Sequence, residues 1–196
     1  MIDPYLESTD VIDWRHPEVL ALARRLGAGA ADPLAVAGRC FAWVRDEIRH
    51  TGDHGLSMVT CAASEVLRHG SGFCYGKSHL LAALLRACAI PAALCYQRLR
   101  VDDEGRRFCL HGLNAALLPG LPWCRLDARG DRPDLTARFA PPAEHLPYRP
   151  TAPGEADLPE LWPAPLPVVL DRLRAHSDAG ALAADLPDVP LWTGTR

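Results

Sequence analysis

The sequence predicts an α+β fold in which a buried helix packs on an antiparallel sheet, and three observations lead there. Helical periodicity dominates from His16 to Ala89, strand-like segments joined by turn residues follow from Ala93 to Leu126, and the run Leu80-Leu81-Ala82-Ala83-Leu84-Leu85 is apolar nearly all round. A helix of that last kind has no solvent face and must be enclosed. Helices followed by a strand meander is the order of an α+β chain.

The elements follow in order. A first helix is expected from about His16 to Leu26, with Pro17 near its start and Gly27 at its end. Pro33 opens a longer one to about Arg49, in which Leu34, Ala37, Phe41, Val44 and Ile48 recur at three- and four-residue steps and Cys40 and Trp43 widen the apolar face. His50 to Thr60 reads as a polar loop, and Ala62 to Arg68 as a short helix ended by Gly70. The central helix runs from Cys74 to about Ala89, stopped by Pro91. Strands are expected at Ala93–Leu99, Phe108–Leu118 and Leu121–Leu126, with Asp102-Asp103-Glu104-Gly105 and Pro119-Gly120 as the turns between them. Beyond Asp127 the composition changes, and fourteen of the eighteen prolines lie between Pro119 and Pro190, so short helices at Val168–Ala175 and Ala179–Asp185 are the only regular elements expected.

At 196 residues the chain is long enough for one domain with a sizeable core. We read a single domain over residues 1–196, with a core at about 33–146 and a proline-rich extension over 147–196 that wraps it, because the extension's apolar residues are too interrupted to form a core alone. The formal net charge is −3 and no Lys/Arg cluster is present, which excludes nucleic acid and anionic membranes as expected partners. No apolar stretch reaches the roughly 18 residues of a membrane span, and Met1–Glu7 lacks the basic and apolar regions of a secretory signal. The seven cysteines are odd in number and never approach Cys-x-x-Cys, so a reduced, cytoplasmic protein is expected. No histidine or cysteine pair has ligand spacing, and neither metal nor cofactor is expected.

One thiol stands apart. Gly72-Phe73-Cys74-Tyr75-Gly76 puts Cys74 at the mouth of the buried helix, where partial positive charge and unpaired N–H groups favour a thiolate. A thiol nucleophile needs a base and a group to orient that base. His111 interrupts an apolar strand beside Gly112, which leaves room for close approach of another element, and Asp127 ends the next strand. Adjacent antiparallel strands bring the two together if the register matches. Trp123, Arg125 and Asp127 share one face by alternation, so Trp123 and Arg125 are expected to flank a bound substrate.

At these residues the chain resembles the bacterial transglutaminase-like superfamily, which shares a papain-like thiol core. The resemblance rests on Ser64 to Cys74, on Lys77 to Ala92 with its Leu-Leu-Ala-Ala-Leu-Leu-Arg-Ala helix and Ile-Pro-Ala exit, on His-Gly-Leu-Asn at His111 and on Leu-Asp-Ala-Arg-Gly at Asp127. It covers about Pro33 to Leu146. It implies Cys74 as nucleophile, His111 as general acid and base and Asp127 as its orienting residue, acting on a peptide, protein or small amide through a thioester that passes to water or an amine. It also implies a second oxyanion donor from an upstream side chain, often Trp or Gln, which no upstream residue here matches. Hydrolysis is the leading expectation. An acyltransferase of the arylamine N-acetyltransferase type shares the Cys, His, Asp order, but the Arg-Gly-Gly before the cysteine is absent here. A non-catalytic module that keeps the fold would not require all three residues.

Overall fold

The structure, a computed structural model, describes residues 2–102 and 104–191. Pro17 and Pro33 each lie in the first turn of a helix, α1 (Pro17–Gly27) and α2 (Pro33–Glu47), where the missing N–H has no intrahelical partner to lose. Asp32 caps α2 by accepting the Ala35 N–H at 2.8 Å. The chain then forms a two-residue strand, β1 (Arg49–His50), a short helix, α3 (Ala63–His69), closed by Gly70 in the left-handed region, and a second two-residue strand, β2 (Ser71–Gly72), parallel to β1.

Helix α4 (Cys74–Ala87) is the spine, buried at every residue from Cys74 to Arg86. It packs against α1, α2 and α3 on one side and the sheet on the other. Two of its buried charged groups are satisfied by backbone carbonyls, as burial demands. The Lys77 ammonium donates to the carbonyls of Val44 (2.9 Å), Arg45 (3.5 Å) and Ile48, so its three protons meet the carbonyls at the end of α2. Arg86 donates to the carbonyls of Ala92, Glu7 and Pro163, which ties the amino-terminal segment and the extension to the helix.

The sheet is antiparallel in the order β5-β4-β3-β6, formed by β3 (Ala92–Arg100), β4 (Phe108–Leu117), β5 (Trp123–Leu126) and β6 (Ala156–Asp157). Gly112 faces α4, and a Cβ there would meet the Tyr75 Cα at 3.2 Å, so the missing side chain is what lets helix and sheet approach. The hydroxyl of Tyr75 donates to the Leu110 carbonyl and locks the same contact.

Three short strands were not anticipated, and one boundary is corrected. α2 ends at Glu47 rather than Arg49, because Ile48 turns out of the helix onto Lys77, and the Arg49 and Thr51 amides donate to the carbonyls of Gly70 and Gly72. That change carries His50 away from α2 and towards the start of α4. Asp103 of the expected hairpin turn lies outside the described residues. The extension is more than a wrapping. It supplies β6, pairs Trp162 with Leu94, and through α5 (Pro167–Ala175) and α6 (Ala179–Ala184) sends Val169, Leu173, Ala179 and Leu182 into the main core.

Candidate active site

Cys74 is the first residue of α4. The residue before it, Phe73, is extended and offers the first turn no side-chain cap. The helix start therefore keeps its donors and its positive end for whatever lies over the thiol. Gly112 N–H, from the sheet, donates to Sγ at 3.5 Å.

His111 sits on β4, and its Nε2 lies 2.6 Å from Asp127 Oδ2, both side chains being buried. The last rung of the β4–β5 ladder pairs Asn114 with Leu126, so Asp127 reaches His111 along the diagonal rather than straight across. The second carboxylate oxygen, Oδ1, accepts the Arg129 N–H at 2.9 Å, which fixes the carboxylate plane. With Nε2 engaged by Asp127, Nδ1 is the nitrogen left for the thiol, and Cys74 and His111 line the same cleft. The ring of Tyr148 stands edge-on to the imidazole, centroids 4.8 Å apart.

The electrostatics separate this thiol from the others. Burial pushes Cys74 up, but the charge and hydrogen bond of His111, with a smaller contribution from His50, outweigh it and bring the thiol down to about 6. Burial pushes His111 down, and Asp127 and Cys74 together reverse this and raise it to about 10. Between those values the stable form is a thiolate–imidazolium pair. Burial instead raises Cys61 to about 11 and Cys95 and Cys109 to about 12. Cys40 and Cys88 influence each other, which raises Cys40 and lowers Cys88.

The thiol opens into a cleft of ≈ 400 Å³ whose walls include His50, Arg129, Arg132 and Tyr148, with Leu99 and Leu186 at its apolar side. A larger hollow of ≈ 560 Å³ between α1 and α3, lined by Glu18, Arg25 and Arg68 among others, contains no nucleophile. Among the described residues no group of three His, Cys, Asp or Glu side chains is placed to hold a metal ion.

A match to the model of the transglutaminase-like superfamily spans residues 20–128 and takes in α2, α4, β4 and β5 with all three residues of the constellation. The chain belongs to the transglutaminase-like superfamily. No functionally curated protein matches the sequence. Among solved structures, this transglutaminase-like chain is similar to a protein provisionally described as a cysteine protease from Cytophaga hutchinsonii, at 20% identity and a TM-score of 0.54, covering 65% of this chain and 42% of that one. It is also similar to the periplasmic domain of TgpA from Pseudomonas aeruginosa, at 20% identity and a TM-score of 0.48, covering 63% of this chain and 45% of that one. The transglutaminase-like chain thus spans less than half the length of either structure.

Two expected site residues stand elsewhere. Trp123 packs edge-on against Tyr5, centroids 4.9 Å apart, over the outer patch of Ala93, Cys95, Leu113 and Ala115. Arg125 forks onto Glu144 (2.8 and 2.9 Å) and reaches Asp157 at 2.6 Å, lining a separate hollow of ≈ 290 Å³. Sharing a strand face with Asp127 is insufficient, because the cleft opens past the end of β5 and these side chains lie back along it.

Sequence reasoning missed His50, Asp53, Arg129 and Tyr148. His50 lines the same cleft as Cys74, helps to lower that thiol, and stacks edge-on against Phe73, centroids 5.9 Å apart. The Asp53 N–H donates to His50 Nδ1 at 3.3 Å, and the Asp53 carboxylate binds Arg129 Nη2 at 2.9–3.0 Å. The one available signal was Arg129, two residues after Asp127 in the turn that follows β5.

Proposed function

We propose that this protein is a thiol hydrolase that cleaves an amide through a thioester on Cys74, with His111 carrying the proton and Asp127 orienting His111. The observation that carries the reading is the 2.6 Å Asp127–His111 contact at Nε2, which leaves Nδ1 of the same ring for the thiol. The thiolate attacks the carbonyl carbon, and the C=O electron pair moves onto oxygen beside the Cys74 N–H at the start of α4. Collapse of the tetrahedral intermediate restores the C=O, breaks the C–N bond and sends the His111 proton to the leaving nitrogen. Neutral His111 then takes a proton from water, the hydroxide attacks the thioester, and the acid leaves as Cys74 recovers its electron pair.

A peptide, protein or small amide is the acyl donor in this reading and water the acceptor. The test is a burst experiment with p-nitrophenyl acetate. Wild type is expected to release one equivalent of p-nitrophenolate rapidly and to carry one acetyl group on the Cys74 peptide, while Cys74→Ala does neither. A wild-type chain that never acquires the acetyl group, or acquires it on another cysteine, overturns the assignment. Hydroxylamine competition against the same acyl-enzyme then measures how water fares against an amine acceptor.

A further inference from the structure

Positive charge collects in the cleft around Cys74. Arg100, Arg129 and Arg132 line it, and Asp53 is the one carboxylate among the described residues of its wall that is not part of the constellation. Arg132 forks onto Asp134 at 2.9 and 3.2 Å. Arg129 is held differently. It is only 4% exposed, and both oxygens of Asp53 approach a single nitrogen, Nη2, at 3.0 and 2.9 Å. Its other terminal nitrogen, Nη1, is buried with no hydrogen-bond partner among the described residues. An arginine fork holds a carboxylate through two parallel N–H groups, so half of this fork is unused. Arg129 also borders a hollow lined by Asp46 and Asp131, but Tyr148 is not in that wall. Arg129 Cζ stands 5.6 Å from the centroid of the Tyr148 ring, which puts the guanidinium on the thiol's side, and that ring in turn stands 4.8 Å from the His111 imidazole. The guanidinium is therefore no farther from the imidazole than those two distances laid end to end, roughly three residues of extended chain.

We propose that Arg129 determines the substrate class of this chain: its guanidinium binds a carboxylate of the acyl donor, so the substrate is an acidic amide with a carboxylate within about three residues of the attacked carbonyl. This rests on the thioester reading above and narrows it. Folding has already stripped Arg129 of water, so an arriving carboxylate gives up only its own hydration and gains a charge-assisted hydrogen bond at Nη1. A neutral amide could accept the same proton but brings no opposite charge. A cation would meet the charge of the arginines that line the cleft. Recognition also leaves the catalytic histidine undisturbed, because the backbone N–H of Arg129, not its side chain, holds Asp127 Oδ1 at 2.9 Å. One residue thus orients the triad from its main chain and reads the substrate from its side chain.

Two matched pairs of activated esters test this, the members of each pair differing by methylation of one carboxylate. Mono-p-nitrophenyl adipate and its methyl ester carry the group on the acyl side, and p-acetoxybenzoate and its methyl ester carry it on the leaving side. The measured quantity is the ratio of Cys74 acylation rate constants, anion over methyl ester, read by mass spectrometry of the Cys74 peptide. In one of the pairs Arg129→Gln, which keeps the backbone N–H on Asp127, is expected to lower that ratio by about 10–100-fold from its wild-type value. A common ratio cancels any change in the thiol itself. Arg132→Gln removes the same charge from the same cleft and is expected to hold the ratio within roughly threefold of wild type. If Arg129→Gln leaves the ratio unaltered in both pairs, or if Arg132→Gln lowers it equally, the assignment to Arg129 is overturned. Should Arg129→Gln not fold, Asp53→Asn supplies the comparison: it removes the carboxylate that competes for the guanidinium, so the ratio should rise, and an unchanged or lower ratio overturns the proposal. Failure of the thioester reading is distinguishable, since wild type then carries no acyl group on Cys74 from any of the four esters.

Discussion

The two walls of the cleft each present an imidazole with an aspartate behind it, yet they are built differently. On the β4–β5 wall, His111 and Asp127 come from adjacent strands of the main sheet, meet at 2.6 Å and are buried on all sides. On the β1 wall, His50 and Asp53 lie three residues apart at the start of a loop, are separated by 3.4 Å, and depend on Lys77 and Arg129 to stay in place. A short, buried carboxylate contact raises a histidine's proton affinity, while a backbone N–H at Nδ1 fixes a tautomer without adding charge. One wall rests on a buried pairing between strands of the main sheet, the other on a local pairing at a loop.

The contrast breaks most visibly at His111. His111→Ala removes the largest of the influences that outweigh burial at Cys74, so the thiol is expected to titrate at or above its ordinary value instead of near 6. Thiolate is the deprotonated form, so raising the pKa empties it at neutral pH. Alkylation by iodoacetamide at pH 7 should fall roughly a hundredfold and the acetylation burst should vanish. In wild type the alkylation rate should climb through about pH 6 and then level off. A midpoint near 9 in wild type would remove the ion pair. Asp127→Ala comes next: it leaves the His111 Nε2 and the Arg129 amide without their partner, and the acylation rate constant should drop by about 10²–10⁴ while Cys74 is still acetylated.

A smaller and different effect is expected from Lys77→Met, which strands the α2 carbonyls in the interior. Urea unfolding should report a loss of about 3 kcal/mol, and the surviving native protein should lose its preference for the anionic ester more than its alkylation rate, because the β1 wall, which holds Arg129 through Asp53, loosens and the β4 wall does not. Equal losses in both would mean that Lys77 supports the whole site rather than one wall. Arg125→Ala should do least. Its ion pairs with Glu144 and Asp157 are at the surface, so a stability change under about 1 kcal/mol is expected, with the burst rate constant unaltered. A tenfold change in that rate would return Arg125 to the substrate.

Much of this was legible from residues alone, for identifiable reasons. The apolar run through Leu85 can only be a buried helix, and a glycine-flanked cysteine at its start is a local electrostatic fact. Strand alternation gave the faces of β4 and β5. What stayed hidden depends on contacts between distant segments. Two-residue strands such as β1, β2 and β6 leave no alternation to read, and β1 exists because Ile48 is drawn onto Lys77, some thirty positions away. His50 therefore read as the first residue of a polar loop. Trp123 and Arg125 were misplaced because alternation reports which way a side chain points and is blind to how far along the strand the cleft lies.

The cleft is closed on its apolar side by residues made long after Cys74. Leu186 lines it, the Pro187 carbonyl accepts the Leu110 N–H next to His111, and Asp188 forks onto Arg98 of β3. A ribosome adds about 5–20 residues per second, so a nascent chain has Cys74, His111 and Asp127 outside the exit tunnel for seconds before these last contacts and the α5–α6 core residues arrive. The cleft around Cys74 therefore closes only after residues 186–188 have been made, so the order of folding sets when the thiol is sheltered.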